Sequence, residues 1–238
     1  MEIKTPSGVI YDDNDIAILT EMFRVGFVRY SPDPFTLRSG IKSNIYVFGR
    51  EDLTDNPNLE WMLGSKLARV VYANSHDARQ QCLIGLPTAG TALAQATAMA
   101  SLEVKCEKQS GDAQNIAHRI MREVLKRHGA HKGWVNGKPE HLRQRYWIVD
   151  NVATDGQTKV DAIPKFEADG YPARQMPVLI TIDRQQGAVG RLKNEGFEQI
   201  HVAYNLLDIT HAFWTLELWP EGVVEKVEEE IHAHQFAA

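Results

Sequence analysis

The residue types best suited to chemistry in this chain stand in one run, YWIVDNVATDGQT at residues 146–158. Its apolar residues predict a buried strand, Asp150 stands where that strand ends, and Thr154 to Thr158 supply hydroxyls and backbone N–H groups at the start of a predicted helix. A helix N-terminus favours an anion because its dipole is positive there and its first N–H groups lack partners. The run therefore predicts a cradle for a sugar phosphate. Parallel α/β proteins in general have strands that end in Asp and turn into a helix, so a purely structural role is the alternative.

Two further segments are suited to binding an anion. The loop GLPTAGT at 85–91 follows a predicted strand, and its small residues would let backbone N–H groups approach a ligand closely. The segment RIMREVLKRHG at 119–129 combines Arg, Lys and His. It fits either a solvated helix face or a lid that neutralises a leaving pyrophosphate. Each of these signals is weak by itself.

The elements that must position these segments follow from the hydrophobic pattern. Apolar residues at helical spacing predict helices over 13–27 and 57–73, and residues 35–47 predict a hairpin with a Ser-Gly turn. Further on, the pattern predicts strands at 82–86, 102–106, 145–152, 177–183 and 199–206, and helices at 91–101, 157–169, 186–195 and, once or twice, from 206 to the end. Alternation of strands and helices predicts an α/β fold with a mostly parallel central sheet flanked by helices, in which ligands bind at the carboxyl ends of the strands. Asp150 stands at such an end.

Composition narrows the class of protein. A length of 238 residues, 43% of them hydrophobic, suits a single α/β domain, and a net charge of −5 argues against a general nucleic-acid binder. The two cysteines, Cys82 and Cys106, are expected to be free, because no Cys/His cluster has metal-ligand spacing. No signal peptide and no apolar run near the ~20 residues of a membrane span is found, so a cytoplasmic location is expected. A mobile loop is predicted at about 108–143, and a solvated helix without a binding function at 223–234.

Taken together, these segments and the hairpin FTLRSGIKSNIY at 35–46 resemble the orotate phosphoribosyltransferases, a branch of the type I phosphoribosyltransferases. The likeness covers residues 13–210, and its motifs stand in the order that the family has, which is more specific than any single motif. The resemblance implies one phosphoribosyltransferase-like domain over 1–238. Within it, residues 13–50 would form an N-terminal helix and base-recognition hairpin hood, residues 57–210 the core, and residues 211–238 a helical tail.

The resemblance also implies an activity. It is the transfer of the 5-phosphoribosyl group of phosphoribosyl pyrophosphate to orotate, which gives orotidine 5′-monophosphate and pyrophosphate in pyrimidine nucleotide synthesis. Mg²⁺ would be bound mainly through phosphoribosyl pyrophosphate, with no metal site made by the protein alone. A homodimer with a shared active site is implied as well, and neither a membrane nor a nucleic-acid partner is expected.

Residue roles carry over from the family's motifs. The resemblance gives catalytic roles to Asp150, Asn151, Lys126 and His128. It gives phosphoribosyl pyrophosphate binding to Arg122, Thr88, Ala89, Gly90, Thr154, Asp155, Gly156, Gln157 and Thr158. It gives orotate binding to Arg38, Tyr46 and Arg184, and an Arg pair suits a base that carries a carboxylate.

The chain departs from the family pattern at four positions. Asn151 replaces a second acid, Asp155 adds a negative charge to the phosphate loop, and Glu123 and Ala89 stand where Lys is found in family members. A divergent phosphoribosyltransferase for another base and a non-catalytic nucleotide-binding or regulatory homologue therefore remain alternatives. The sequence also leaves open whether the chain turns over, whether it works with a decarboxylase, and its oligomeric state.

Overall fold

The structure is a computed structural model that describes residues 1–37, 40–47, 51–76, 78–104, 115–124, 127–128, 133–134 and 138–236. The strands are β1 (Ile3–Lys4), β2 (Ile10–Tyr11), β3 (Val28–Thr36), β4 (Lys42–Val47), β5 (Gln80–Gly85), β6 (Ala117–Ile120), β7 (Gln144–Ala153), β8 (Val178–Asp183) and β9 (Ile200–Asn205). The α-helices are α1 (Asp13–Val25), α2 (Glu51–Thr54), α3 (Pro57–Ala73), α4 (Ala89–Ala100), α5 (Gln157–Ala168), α6 (Ala188–Asn194), α7 (Leu206–Thr215) and α8 (Glu221–Ala233). A short 3₁₀ helix spans Ala173–Gln175.

A five-stranded sheet in the order β6-β5-β7-β8-β9 forms the centre of the molecule. All four strand pairs are parallel, so the predicted α/β class is confirmed and the central sheet is wholly rather than mostly parallel. Gly85 pairs with Val149 and Asp183 pairs with Asn205, which brings the carboxyl ends of the strands to one edge. The loops that follow β5, β7 and β8 therefore meet at this edge.

Helices cover both faces of the sheet because the strands are apolar on both sides. Along β7, Trp147 and Val149 pack into one core with helices α1, α3, α4, α7 and α8. Ile148 packs into a second core, on the opposite face, with Phe166 of α5 and Leu192 of α6. This alternation follows from the period of two in a β-strand. It fixes which way each strand-end side chain faces.

One predicted strand is wrong and another was missed. Of the strand predicted at 102–106, residues 102–103 lie in a turn after α4 with Leu102 exposed, and residue 104 is in neither a helix nor a strand. Residues 105–106 are outside the described part of the chain. The parallel neighbour of β5 is instead β6, within the segment predicted as a mobile loop at 108–143. With only four residues at the sheet edge, β6 is too short to give a clear periodic pattern. Residues 108–114 of that loop are outside the described residues.

The hairpin and the C-terminal helix flank the sheet. Strands β3 and β4 pair antiparallel as predicted, with a register shift between Tyr30 and Phe35. The charge run of α8 faces solvent as predicted at Glu225, Lys226, Glu228 and Glu229, whereas the apolar residues Val223, Val227 and Ile231 of the same helix are buried in the main core. In the described part of the chain, no helix is long and apolar enough to span a bilayer. Cys82 is free and buried as predicted, and Cys106 lies outside the described residues.

Candidate active site

A cavity of about 330 Å³ opens at the carboxyl edge of the sheet, where the loops after β5, β7 and β8 meet the β3–β4 hairpin. It is lined by Thr36, Leu37, Tyr46, Val47, Pro87, Thr88, Ala89, Asp150, Asn151, Val152, Thr154, Asp155, Gly156, Gln157, Thr158, Lys159, Asp161 and Arg184. Most of the residues predicted for the site are in this set. Segments that are more than a hundred residues apart in the chain thus form one concave surface.

Asp150 lies within β7, three residues before the last residue of that strand rather than at its end as predicted, and it is almost fully buried. Its Oδ1 accepts a hydrogen bond of 2.9 Å from the backbone N–H of Asn151, and its Oδ2 forms an ion pair with the ammonium group of Lys159. The same ammonium group donates to the carbonyl oxygen of Val152 at 2.9 Å. Asp150 is therefore a carboxylate whose charge is balanced inside the protein.

Lys159 was missed by the sequence analysis, although a signal for it exists. Its side chain is only 2% exposed. It stands on the face of α5 that also buries Ala162, Ile163 and Phe166, at spacings of three, four and seven residues. A Lys at a core position of an amphipathic helix needs an anionic partner, because an unpaired buried ammonium group is strongly unfavourable. The nearest acid at a strand end, Asp150, would have been the natural candidate.

The predicted phosphate loop turns at Gly156, whose φ of 75° is in the left-handed region that favours glycine. Asp155 does not point away from the N-terminus of α5. Its Oδ1 accepts a hydrogen bond of 3.1 Å from the N–H of Gln157, and its Oδ2 lies 3.9 Å from Nη1 of Arg191. Arg191 also donates to the side chain of Gln157. A carboxylate of the chain thus uses one N–H group that a bound phosphate would otherwise use.

The predicted pyrophosphate loop depends on two glycines. A Cβ atom at Gly85 would lie 1.9 Å from the carbonyl oxygen of Gly90, and a Cβ atom at Gly90 would lie 2.5 Å from the carbonyl oxygen of Val149. Only glycine allows the start of α4 to approach the strand ends this closely. Thr88 and Ala89 line the cavity, whereas Gly90 packs beneath the loop. The peptide bond between Pro87 and Thr88 is cis.

Arg184 and Tyr46, two of the residues predicted to contact the base, lie at the hairpin side of the cavity. Arg184 is 2% exposed, and its Nη2 lies 2.9 Å from Oε1 of Glu230 on α8. Its Nη2 also donates to Oγ of Ser43 at 2.8 Å, and its Nη1 to the carbonyl oxygen of Ile45 at 3.1 Å. Burial lowers the pKa of the Arg184 guanidinium, an effect that the charge of Glu230 opposes.

Two residues of the predicted lid at 119–129 (the hood loop), Arg122 and His128, do not line the cavity. The N–H of Arg122 donates to the carbonyl oxygen of Gly133 at 2.8 Å, and Arg122 borders a separate cavity beside Trp134. His128 is exposed and is not part of the cavity lining. Lys126 and Arg38 lie outside the described residues. Their predicted roles remain predictions.

Charge in the cavity is close to balanced and slightly negative. Among the described lining residues, Asp150, Asp155 and Asp161 are acidic, and Lys159 and Arg184 are basic. Both basic groups already have carboxylate partners. A pyrophosphate group would therefore need positive charge from a metal ion or from residues beyond this lining.

The donor set fits a metal that a substrate carries rather than one that the protein holds alone. Within the described ranges, no group of three or more His, Cys, Asp or Glu side chains is arranged to hold a metal ion. Mg²⁺ prefers one or two carboxylates together with substrate phosphate oxygens. Asp161 is a cavity carboxylate that suits this type of binding.

Comparison with known proteins identifies the fold. No family model matches the chain. A curated protein of Nostoc sp. named orotate phosphoribosyltransferase is 22% identical over 187 residues, which cover 79% of this chain and 82% of the relative. Another of that name, from Cenarchaeum symbiosum, is 26% identical over 195 residues, 82% of this chain and 88% of the relative.

Solved structures agree with this result. The UMP synthase of Leishmania donovani matches with a TM-score of 0.69 and 21% identity over 92% of this chain, which spans only 42% of that protein. The orotate phosphoribosyltransferase of Aeropyrum pernix matches with a TM-score of 0.59 and 21% identity, over 85% of this chain and 99% of that one. The predicted resemblance is confirmed. The chain has the type I phosphoribosyltransferase fold, and in sequence it is similar to curated orotate phosphoribosyltransferases over most of its length.

Proposed function

We propose that this chain is an orotate phosphoribosyltransferase, a pentosyltransferase that joins orotate to the ribosyl group of phosphoribosyl pyrophosphate and releases pyrophosphate. The observation that supports this proposal most strongly is the single cavity in which the loops after β5 and β7 meet Tyr46 and Arg184. A structure neighbour, the Mycobacterium tuberculosis orotate phosphoribosyltransferase, is known in complex with phosphoribosyl pyrophosphate, and it matches with a TM-score of 0.54.

Each part of the cavity receives a role in this proposal. The N–H groups and hydroxyls of Thr154 to Thr158 would bind the 5-phosphate at the N-terminus of α5. Asp150 would accept hydrogen bonds from the ribose hydroxyls, and it would stabilise the positive charge that develops on the ribosyl ring as the pyrophosphate leaves. Thr88 and Ala89 would contact the pyrophosphate, and Tyr46 and Arg184 the base.

Asn151 would orient a ribose hydroxyl through its amide oxygen, because it cannot act as a carboxylate base. Mg²⁺ bound to the pyrophosphate would supply the positive charge that the described lining lacks. Lys126 and His128 of the hood loop would add further positive charge in a homodimer whose sites are shared between subunits. We also propose that the chain is located in the cytoplasm.

A spectrophotometric assay with orotate, phosphoribosyl pyrophosphate and Mg²⁺ tests the proposal, with pyrophosphorolysis of orotidine 5′-monophosphate as the reverse reaction. We expect turnover in both directions. We also expect Asp150→Asn to lower kcat/KM by about 100-fold or more, as is typical for a group that acts in the transition state. Glu167→Gln, at an exposed position of α5, is the matched control. Absence of both reactions would overturn the proposal.

A second candidate is transfer to a base without a carboxylate. The ion pair between Arg184 and Glu230 favours it, because a neutral base requires no free guanidinium group. Uracil in place of orotate in the same assay separates the two candidates.

A further inference from the structure

Helix α8 places a carboxylate of the chain on the guanidinium group that borders the base end of the cavity. Oε1 of Glu230 lies 2.9 Å from Nη2 of Arg184, and its Oε2 accepts a hydrogen bond of 3.0 Å from the N–H of Asn44. The side chain of Glu230 is only 11% exposed. Both carboxylate oxygens are therefore fixed by partners from two other elements, β4 and the loop after β8.

This contact is well supported by the packing of α8. Val227 and Ile231, on either side of Glu230 in the helix, are buried in the main core. Nζ of Lys226 donates to the hydroxyl of Tyr30 on β3 at 3.1 Å. Release of Glu230 from Arg184 would therefore require either a rotamer change or a displacement of a packed helix.

The same guanidinium group has little remaining capacity for a ligand. Its Nε donates to Gln186, its Nη1 to Ile45, and its Nη2 to Ser43 and Glu230. A ligand carboxylate at Arg184 would need to displace Glu230 or lie beside it. Two carboxylates that share one buried cation repel each other, which disfavours the ionised pair.

We infer that Glu230 is a specificity-determining residue of the site: it competes with the carboxylate of the ligand for Arg184, and so reduces the preference for a carboxylated pyrimidine over its neutral analogue. This inference rests on the proposed function, because it takes a pyrimidine base to bind beside Tyr46 and Arg184. It concerns the strength of base discrimination rather than the occurrence of turnover.

Isothermal titration of orotate and of uracil into the wild-type chain and into Glu230→Gln tests the inference. The substitution removes the competing charge and keeps the shape of the side chain. We expect orotate to bind at least about tenfold more tightly to Glu230→Gln, the lower end of the range for a hydrogen bond to a charged group. We expect the affinity for uracil to change less than about twofold. Glu229→Gln, at an exposed position of the same helix, is the control and should leave both affinities unchanged.

The outcomes separate this inference from the proposed function. A gain in affinity for orotate alone supports the inference, even if the wild-type chain shows no turnover. Absence of turnover would count against the proposed function only. Three results would overturn the inference. They are equal changes in affinity for orotate and uracil, no change in either affinity, and no binding of orotate by either protein. Because loss of a buried ion-pair partner can unfold a protein, thermal unfolding of each variant is measured first. Glu230→Asp keeps the charge but shortens the side chain, so it should increase the affinity for orotate by a smaller factor than Glu230→Gln. If Glu230→Gln does not fold, the affinity of Glu230→Asp for orotate and uracil is the test.

Discussion

Replacement of Lys159 by Met should destabilise the fold strongly, because Lys159 is the buried cation beside Asp150. The side chains of Lys159 and Asp150 are 2% and 9% exposed. The substitution keeps the length and the apolar stem of the side chain but leaves the carboxylate of Asp150 without a cation and the carbonyl oxygen of Val152 without its side-chain donor.

The magnitude follows from the burial of the pair. Removal of one partner from a buried ion pair typically costs about 3–5 kcal/mol, because the remaining charge is left uncompensated. Asp150 keeps the hydrogen bond from the N–H of Asn151, so we expect a loss near the lower end, about 3 kcal/mol. For a chain of this size, that corresponds to a decrease in Tm of about 6–12 °C.

A double-mutant cycle distinguishes loss of the ion pair from general damage to the helix. Asp150→Asn combined with Lys159→Met removes both charges, and the double variant should be within about 1 kcal/mol of the wild type, because removal of a complete buried pair is often close to neutral. Lys165→Met, at an exposed position of α5, should change stability by less than about 0.5 kcal/mol.

Differential scanning calorimetry and urea unfolding, followed by tryptophan fluorescence, measure these differences. The reasoning is refuted if Lys159→Met loses less than about 1 kcal/mol, since an uncompensated buried charge should cost several times more. It is also refuted if the double variant is as unstable as the two single losses added together, because the two residues would then act independently.

Two further predictions concern the other acids at the strand ends. Asp155→Thr should bind phosphoribosyl pyrophosphate at least about tenfold more tightly in a titration, because it removes a negative charge from the phosphate loop, and repulsion between like charges at a protein surface is on the order of 1–4 kcal/mol. The Thr hydroxyl can still accept a hydrogen bond from the N–H of Gln157. Weaker binding would mean that Asp155 assists the ligand. Burial raises the pKa of Asp183, so the stability that this carboxyl contributes is fully present below its unfolded pKa and is lost as the pH rises through its folded pKa. Asp183→Asn should therefore stabilise the fold more at pH 7 than at pH 4 in thermal unfolding, and a gain that grows on acidification would contradict this cause.

The parts of the site that lie close together in the chain could be predicted from the sequence. Asp150 and Thr154 to Thr158 form a strand, loop and helix within one short segment, so their residue types and order determine their relative positions. The β3–β4 hairpin and the glycine loop after β5 could be predicted for the same reason, because each is formed by residues that are close together in the chain. The order of alternating strands and helices then predicts that these loops meet at one edge.

Contacts between distant segments could not be predicted in this way. Arg184 and Glu230 are 46 residues apart, and the packing of α8 against α7 and β4 brings them together. The sequence pattern of α8 does not show whether all of its acids face water or whether one of them faces inward, because both cases have the same alternation of charged and apolar residues. The edge strand β6 depends on its pairing with β5 rather than on its own short sequence.

Three groups that we expect to contact substrate already have partners inside the chain, and this affects how strongly the site would bind a substrate. Asp150 pairs with Lys159, the N–H of Gln157 donates to Asp155, and Arg184 pairs with Glu230. The binding free energy that a ligand gains at these groups is only the difference between the energy of its own contacts and that of the internal contacts it replaces. Since that difference is small for single hydrogen bonds, most of the affinity for a pyrophosphate would come from charges outside this lining, namely the metal ion and the hood residues. Variants of Lys126 should therefore weaken binding of phosphoribosyl pyrophosphate more than variants of Thr158 do.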